Sequence, residues 1–376
     1  MISSALLALV RCPDCRRPLD DTLGELACPS CGRHYEKSGR DYLDLRPTAS
    51  FEETTKYLDE LVHTDGRYRT VSPPLLMAGI RNDMLRSFLP IGPGDRVIDL
   101  GCGSGRMLVW NHGPNVHLVG VDVSPYFAAE AGERIDLIVG DLRRLPLDDG
   151  AFTKAYSLDV LEHLSRGDLE RMLCEANRVL APGGRFFVYS HVRKNSTLAL
   201  GLRAINALAR GLERIGLLDL SHDRLRKSDH RNPLVDIDDL HRVTATAGFQ
   251  ISRIRYYTPL VGGFVENILM RIAEQLMARR AMRRSTTDGD SSEGPSSGPG
   301  ARRTVRADAK RWIADRGVVY AGLRGLTWLM KLDIALFGRI KSGPFFALLV
   351  KDGSGGSSGS SGVSRASRAR ETDLMS

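Results

Sequence analysis

The sequence predicts an α/β fold in which a seven-stranded, mostly parallel sheet carries helices on both faces. Three observations predict it. From residue 94 onward, short apolar runs alternate with helical patterns, which is typical of a parallel sheet with crossover helices. The first apolar run ends in a glycine-rich turn, and four cysteines in two close pairs precede the whole region. With 376 residues, 42% of them hydrophobic, the chain has enough apolar material for this core and for smaller flanking units.

The cysteines come first along the chain and form two C-x-x-C pairs, Cys12 with Cys15 and Cys28 with Cys31. Two intervening residues let both thiolates bind one ion from a tight turn, and two such turns supply a tetrahedral four-sulfur site for structural Zn²⁺. Four free thiols are the alternative interpretation. A redox role is disfavoured because a four-thiolate site has no open position. We therefore expect a small zinc ribbon that chelation loosens.

The alternating region defines the sheet. Its predicted strands are 96–100, 117–122, 135–139, 154–157, 185–190, 249–256 and 345–350, and its predicted helices are 105–110, 125–131, 166–180 and 237–247. The turn Ala181-Pro182-Gly183-Gly184 stops the third helix, because proline cannot continue a helix and glycine accepts a positive φ.

Composition divides the chain further. The predicted units are a zinc ribbon at 1–47, a helical cap at 48–93, a core at 94–257 with an insertion at 191–233, a helical insertion at 258–343, a last core strand at 344–352 and a tail at 353–376. The loop 285–300 and the tail are too poor in apolar residues to pack, so we expect both to be disordered.

The informative stretch is the glycine-rich turn from Val97 to Gly105. A buried strand delivers Asp99 to its carboxyl end, where open α/β sheets bind ligands, and Asp122 ends the next strand at a spacing that suits ribose hydroxyls. The glycines Gly101, Gly103 and Gly105 let the backbone approach a ligand. Their G-x-G-x-G spacing and the charge of Asp99 disfavour a pyrophosphate. A ligand with an ammonium group and no phosphate, such as S-adenosyl-L-methionine, fits better.

Several motifs in this region resemble class I methyltransferases of the ubiquinone/menaquinone-biosynthesis type, which have a Rossmann-like fold. They are Gly140-Asp141-Leu142, Leu145-Pro146-Leu147 with Gly150-Ala151-Phe152, the run from Ser157 to Leu164, and Arg178-Val179-Leu180-Ala181-Pro182-Gly183-Gly184. The resemblance covers 96–256 and the last strand. It implies a cofactor set of Asp99, Gly101, Gly103, Gly105, Asp122, Asp141, Leu142 and Leu158, with Asp141 at the adenine. The segment 1–47 resembles the amino-terminal module of bacterial 23S rRNA guanine methyltransferases, and related ribbons are activating partners of other methyltransferases.

Two histidines are candidate catalytic bases. His163 follows the fourth strand near the expected methyl position, and His230 lies in the first insertion, which should overhang the same edge. The alternatives are a histidine that packs at a helix start and a solvated loop residue. Asp159, Glu162 and His163 also resemble the E-x-x-E-H motif of ubiquinone O-methyltransferases, for which a divalent metal is an option.

Helices 260–282 and 318–340 combine apolar stripes with arginines, and the second contains Trp328. Such helices suit a peripheral membrane contact or a lid over an oily acceptor, although helices that merely cover the sheet edge are an equal alternative. The net charge of +8 suits binding to an anionic membrane or to RNA. The alternative is that the basic residues merely form a solvated helix end. No stretch is apolar enough to span a bilayer, and no secretory signal is recognisable, so we expect a cytoplasmic protein with optional peripheral membrane contact.

These observations favour a methyltransferase that acts on oxygen or carbon of a small-molecule or lipid-like acceptor. A base methyltransferase for rRNA or tRNA, with the ribbon contacting RNA, is the first alternative. The motif after the fourth strand is not the N/D-P-P-Y/F motif of many amino-group methylases, and this difference weighs against a base methyltransferase. The second alternative is a non-catalytic scaffold that binds a partner through the ribbon.

Overall fold

The computed structural model describes residues 2–22, 24–37, 41–47, 71, 73–193, 199–217, 230–257, 260–273, 317–341 and 343–352. The first part of the predicted helical cap, the end of the predicted helix 260–282, the loop 285–300 and the tail 353–376 lie outside the described residues.

An eight-stranded sheet organises the described residues. Its strands are β4 (Leu43–Asp44), β5 (Arg96–Leu100), β6 (His117–Asp122), β7 (Asp136–Val139), β8 (Phe152–Leu158), β9 (Leu180–His191), β10 (Phe249–Tyr256) and β11 (Pro344–Lys351). They lie in the order β10-β11-β9-β8-β5-β6-β7-β4, and β11 is antiparallel to both of its neighbours. The seven predicted strands are confirmed. The order reverses direction between β5 and β8, and such a switch point is where open α/β sheets bind ligands.

Successive side chains of the inner strands alternate between two apolar cores, one on each face of the sheet. Val97 and Leu118 pack on one face, whereas Ile98 and Val119 pack on the other. A strand that is buried on both faces needs a continuous apolar run, which explains why these strands were predictable.

Helices cover both faces. They are α2 (Leu76–Phe88), α3 (Arg106–Trp110), α4 (Ala129–Arg134), α5 (Arg166–Val179) and α7 (Ile237–Thr246). The predicted helix 125–131 is wrong in its bounds, because the chain before α4 is extended: Ala128 has a ψ of 143° and its amide donates to the Ser104 carbonyl at 3.0 Å. The first half of that segment is thus tied to the glycine-rich turn.

The cysteine module packs against the edge of the sheet. It contains α1 (Ser4–Leu9) and a three-stranded antiparallel sheet of β1 (Asp20–Thr22), β2 (Glu25–Ala27) and β3 (His34–Glu36). Its exit segment forms β4, which pairs in parallel with β7 and was not predicted. Leu6 and Val10 of the module are fully buried in the core on one face of the main sheet. The module therefore shares a core with the α/β region.

Additional helices pack beside α2 on one face of the sheet. They are α6 (Ala199–Arg214), α8 (Leu260–Phe264) with a π-helical turn at Val265–Leu269, and α9 (Gly317–Phe337). Asp333 of α9 accepts hydrogen bonds from the amides of Val261 and Gly262, at 2.8 and 3.3 Å, and so anchors the start of α8. Among the helices in the described part of the chain, none has the length and apolarity needed to cross a membrane.

Candidate active site and metal centre

The glycine-rich turn bends across the carboxyl ends of β5 and β6. Gly101, Gly103 and Gly105 have φ values of +85°, +54° and +78°, a region that L side chains rarely adopt. A Cβ atom on Gly101 would lie 2.3 Å from Val160 Cγ2. The amides of Gly101 and Cys102 both donate to the Val121 carbonyl, at 2.8 and 3.1 Å. Only glycine therefore fits at position 101, where the turn meets the segment after β8.

Two carboxylates meet at this turn. Asp122 accepts hydrogen bonds from the amides of Gly103 and Ser124, at 2.7 and 3.0 Å. Asp99 is only 3% exposed. Burial raises the pKa of Asp99 well above its usual range and the negative charge of Asp122 raises it further, while the nearby Tyr156 phenol acts in the opposite direction. A cationic ligand would stabilise both carboxylates in their ionised form. S-adenosylmethionine carries an ammonium and a sulfonium group, which suit Asp99, and a ribose, which suits Asp122, so this pair of acids fits it.

The other predicted cofactor residues lie at the carboxyl ends of neighbouring strands. Asp141 follows β7 and accepts two hydrogen bonds of 2.8 Å from the amide and Nε of Arg143, which fix its carboxylate. Leu142 and Leu158 are half-buried beside it and at the end of β8. The structure therefore brings the predicted set to one edge of the sheet.

A second polar cluster follows β8. Glu162 lies in a 3₁₀ turn, Leu161–His163, and is only 3% exposed. Its carboxylate accepts a hydrogen bond of 2.9 Å from the Ser190 hydroxyl. Its carbonyl accepts from the amides of Arg231 and Asn232, at 2.8 and 2.9 Å.

The two hydrogen bonds to the Glu162 carbonyl bring the two predicted bases together. The rings of His163 and His230 meet edge-to-face with centroids 4.7 Å apart. His163 comes from the segment after β8 and His230 from the end of the first insertion. The two histidines thus form one site, although 66 positions separate them in the chain.

His191, which ends β9, belongs to the same site. Its Nε2 lies 2.8 Å from the Asn232 side-chain oxygen, and its Nδ1 lies 3.8 Å from Oε1 of Glu162. Its ring centroid is 5.5 Å from that of His230. The sequence does not predict this residue as part of the site, although β8 and β9 are predicted successive strands whose ends meet at one edge.

Asp159 lies near Glu162 but pairs with an arginine instead of joining the histidine cluster. It has a φ of +57° and forms an ion pair of 2.5 Å with Arg81, whose guanidinium carbon lies 4.7 Å from the centroid of the Tyr189 ring. Arg81 comes from α2, within the segment 48–93 that the sequence predicts only as a helical cap. In this cluster, the potential metal-binding atoms of Glu162, His163 and His230 lie within 4.8 Å of one another, and Asp159 is not in that group. Burial, and next the charge of Asp159, raises the pKa of Glu162 to about 8.

The four predicted zinc ligands converge in the amino-terminal module. Sγ of Cys12 lies 3.6 Å from that of Cys31, and Sγ of Cys15 lies 3.3 Å from that of Cys28. Bonds of about 2.3 Å to one tetrahedral zinc ion would place sulfur atoms roughly 3.8 Å apart, so the quartet needs little adjustment.

The two cysteine turns share one backbone geometry. The amide of Arg16 donates to the Cys12 carbonyl at 2.8 Å, and the amide of Gly32 donates to the Cys28 carbonyl at 2.9 Å. Arg16 and Gly32 both have left-handed conformations, with φ values of +62° and +69°. This repeated turn is the arrangement that lets two thiolates bind one ion, so the residues fit structural zinc.

Comparison with known proteins agrees with this architecture. Residues 98–188 match the family model described as a methyltransferase domain, and residues 3–36 match that of the Trm112p-like proteins. The matched segment 98–188 is a methyltransferase domain. It starts in β5, includes the glycine-rich turn and the segment with His163, and ends inside β9.

Relatives match over part of their length. The chain is 32% identical over 182 residues to an uncharacterized 37.1 kDa protein in transposon TN4556 of Streptomyces fradiae, covering 46% of this chain and 47% of that protein. It is 28% identical over 161 residues to 27-O-demethylrifamycin SV methyltransferase of Amycolatopsis mediterranei, covering 39% of this chain and 57% of that enzyme. A solved structure to which the chain is similar is that of geranyl diphosphate C-methyltransferase from Streptomyces coelicolor A3(2), with a TM-score of 0.42 and 14% identity, covering 80% of this chain and 100% of that chain. The chain thus spans about half the length of the curated relatives described.

Proposed function

We propose that the protein transfers a methyl group from S-adenosylmethionine to an oxygen or carbon atom of a small-molecule or lipid-like acceptor. The observation that carries the proposal is the contact between the two halves of the site. Val160 lies against Gly101, so the acid pair of the cofactor turn and the cluster of Glu162, His163, His191 and His230 adjoin at one sheet edge. A donor and an acceptor that bind there would be held side by side.

Methyl transfer is an in-line displacement, in which the acceptor's electron pair bonds to the methyl carbon while sulfur keeps the pair of the breaking bond. Holding the reactants in line supplies much of the rate, and an oxygen or carbon acceptor must also lose a proton. His163 and His230 are placed to help, either as bases or through a cation that they hold. Asp99, Asp122 and Asp141 would hold the cofactor.

The added helices support an apolar acceptor or a membrane contact. The large hydrophobic side chains that stand exposed among the described residues lie on these helices or directly after them: Leu208, Ile215, Leu217, Val261, Phe264, Leu269, Val318, Trp328, Leu329, Leu336 and Ile340. A surface helix normally turns polar residues outward, and apolar outward faces with nearby cations are typical of helices that lie on membranes. We include peripheral membrane contact in the proposal. Because four cysteines arranged as zinc ligands suit a reducing compartment, we also include a cytoplasmic location.

Isotope-labelled S-adenosylmethionine tests the acceptor class. The protein is incubated separately with lipid, small-metabolite, RNA and protein extracts, and labelled products are separated. We expect label in the lipid or small-metabolite fraction. Label confined to protein, or none in any fraction despite cofactor binding, would contradict the proposal.

RNA is the second candidate acceptor, because the amino-terminal module matches the Trm112p-like family and the net charge is +8. Curated relatives also include a probable tRNA methyltransferase 9B, 35% identical over 99 residues. Filter binding to rRNA and tRNA over a range of salt concentrations separates the candidates. A catalytic RNA complex should show label in RNA and an affinity that falls steeply with salt, since phosphate contacts release counterions.

A further inference from the structure

We propose that Glu162, His163, His191 and His230 hold a divalent transition-metal cation beside the cofactor turn, and that the acceptor binds this cation through an ionisable oxygen, as a phenol or an enol does. The inference rests on the proposed function, because it gives these residues a specific part in activating the acceptor. It differs from the D-x-x-E-H motif of the sequence, since Asp159 pairs with Arg81 and two histidines from other elements take part.

The spacing of the potential ligand atoms fits one small cation. Those of Glu162, His163 and His230 lie within 4.8 Å of one another, and Nδ1 of His191 lies 3.8 Å from Oε1 of Glu162. Bonds of about 2.0–2.1 Å to a shared ion would place such atoms roughly 3.3 Å apart in a tetrahedral site, and more for trans pairs in an octahedral one. Rotation of the half-buried imidazoles would draw the first three ligand atoms together, and His191, which lies outside that 4.8 Å group, would turn its Nδ1 toward them.

Neighbouring groups orient the ligands as in protein metal sites. The Asn232 oxygen holds Nε2 of His191, which turns Nδ1 toward Glu162, and the Ser190 hydroxyl fixes the Glu162 carboxylate. The amides of Arg231 and Asn232 bind the Glu162 carbonyl, so His230 is held next to its partners. Metal-bound histidines usually have their second nitrogen fixed in this way.

The donor set selects the class of cation. Imidazole nitrogens with one carboxylate suit Zn²⁺, Fe²⁺, Co²⁺ or Ni²⁺, whereas Mg²⁺ prefers oxygen ligands only. Because the protein supplies four ligands at most and six positions are available on most of these ions, an acceptor oxygen can complete the coordination.

The cation would activate the acceptor by stabilising its oxyanion. The acceptor's proton passes to solvent when the oxygen binds. The electron pair of that oxygen, or of the carbon conjugated to it, then bonds to the methyl carbon, and sulfur keeps the electron pair of the breaking bond. S-adenosylhomocysteine and the methylated acceptor leave. Charge balances, because the sulfonium loses its positive charge as the oxyanion loses its negative one.

Cobalt tests the site in the full chain, with zinc retained in the cysteine quartet. After dialysis against metal-free buffer, Co²⁺ is titrated, and its binding is followed by calorimetry and absorbance. We expect one equivalent to bind with weak d–d bands and without the intense charge-transfer band of cobalt thiolates. His230→Ala and His191→Gln should abolish this equivalent, Asn232→Ala should weaken it about 10- to 100-fold, and His241→Ala, an exposed histidine on α7, should leave it unchanged.

The outcomes separate this inference from the proposed function. Unchanged cobalt binding in both histidine variants, or no cobalt beyond the cysteine site, overturns the metal site, and cofactor binding in the same samples would then leave the proposed function intact. Cobalt binding without cofactor binding overturns the proposed function instead. Acetohydroxamate, a chelating oxygen ligand, should shift the cobalt bands when S-adenosylhomocysteine is bound, and the absence of any shift would contradict the acceptor class.

Discussion

Single glycines set the shape of the cofactor turn. Gly101 combines a φ of +85° with a close approach to Val160, so a side chain there meets two obstacles at once. Left-handed backbone costs about 1–3 kcal/mol for an ordinary residue, and the clash adds to it. The turn can relieve both only by moving away from the segment after β8.

Gly101→Ala should therefore lower the melting temperature and abolish measurable binding of S-adenosylmethionine. Calorimetric titration and thermal unfolding check this prediction. Gly92→Ala is the matched control, because a Cβ there meets nothing within 4 Å and the residue has no positive φ. Equal cofactor affinity in the two variants would show that the turn does not hold the ligand.

At the scale of elements, a buried carboxylate joins the ribbon to the core. Glu175 on α5 accepts hydrogen bonds of 2.8 Å from Arg16 of the ribbon, from the amide of Leu145 and from Arg178. Burial alone would raise the pKa of Glu175, but the hydrogen bond and charge of Arg178, together with Arg16, outweigh it and hold the pKa below its usual value.

Glu175→Gln should cost about 2 kcal/mol of unfolding free energy at neutral pH, because it removes the carboxylate that pairs with Arg16 and leaves Arg178 with Asp149 as its remaining acidic partner. A depressed folded-state pKa stabilises the protein above the unfolded pKa of Glu, about 4.3. The difference between wild type and variant should thus persist at neutral pH and shrink as the pH falls through the folded pKa. Denaturant unfolding at several pH values measures it. Glu170→Gln, in an exposed pair with Arg166, should change stability little, and a pH-independent cost at Glu175 would refute the ionic explanation.

The elements also show what the sequence could and could not predict. The core strands and the residues Asp99 and Asp122 were predictable, because strands buried on both faces are continuous apolar runs that deliver their last residues to one edge. The two-residue strand β4 was not, since its pairing with β7 depends on tertiary packing. Arg81 was missed for the same reason: its role depends on how α2 crosses the sheet, which periodicity along the helix does not encode. His191 needed the register of two neighbouring strands.

For the whole molecule, zinc should stabilise more than the ribbon. The ribbon's Leu6 and Val10 are buried in the main core, and its exit strand extends the main sheet. Loss of the ion should therefore lower the stability of the entire fold.

Chelation of zinc should lower the melting temperature of the main unfolding transition, not only of a separate early one. Scanning calorimetry with and without a strong zinc chelator measures this. Cys28→Ser should mimic chelation, whereas Cys174→Ser, at an exposed cysteine on α5, should not. An unchanged main transition after complete zinc removal would show that the ribbon folds independently of the core.

The outward face of α9 is the surface on which the proposed membrane contact depends. Its exposed positions include Val318, Trp328, Leu329 and Leu336, while the opposite face packs through Thr327, Met330 and Asp333. The outward face of the helix thus carries large apolar side chains, and burial of such a face in a bilayer interface is favourable.

Leu329→Glu with Leu336→Glu should abolish co-sedimentation with anionic phospholipid vesicles while leaving binding of S-adenosylmethionine intact. The control variant combines Ala321→Glu with Glu170→Gln, which adds one negative charge to this face and keeps the net charge of the protein unchanged. It should weaken sedimentation only partly. Sedimentation of the double glutamate variant at the wild-type level would remove the membrane from the proposal.

Binding of S-adenosylmethionine to the wild-type full chain and to Asp99→Asn shows whether the acid pair holds the cofactor. Asparagine keeps the shape of Asp99 and removes its charge, and a hydrogen bond to a charged group is worth about 1.5–3 kcal/mol, or roughly 10- to 100-fold in affinity. We predict saturable binding to the wild type, a loss of that size in Asp99→Asn, and wild-type affinity in Glu170→Gln. No binding to the folded wild type, or equal binding to Asp99→Asn, would contradict the claim that the acid pair at this turn holds the cofactor.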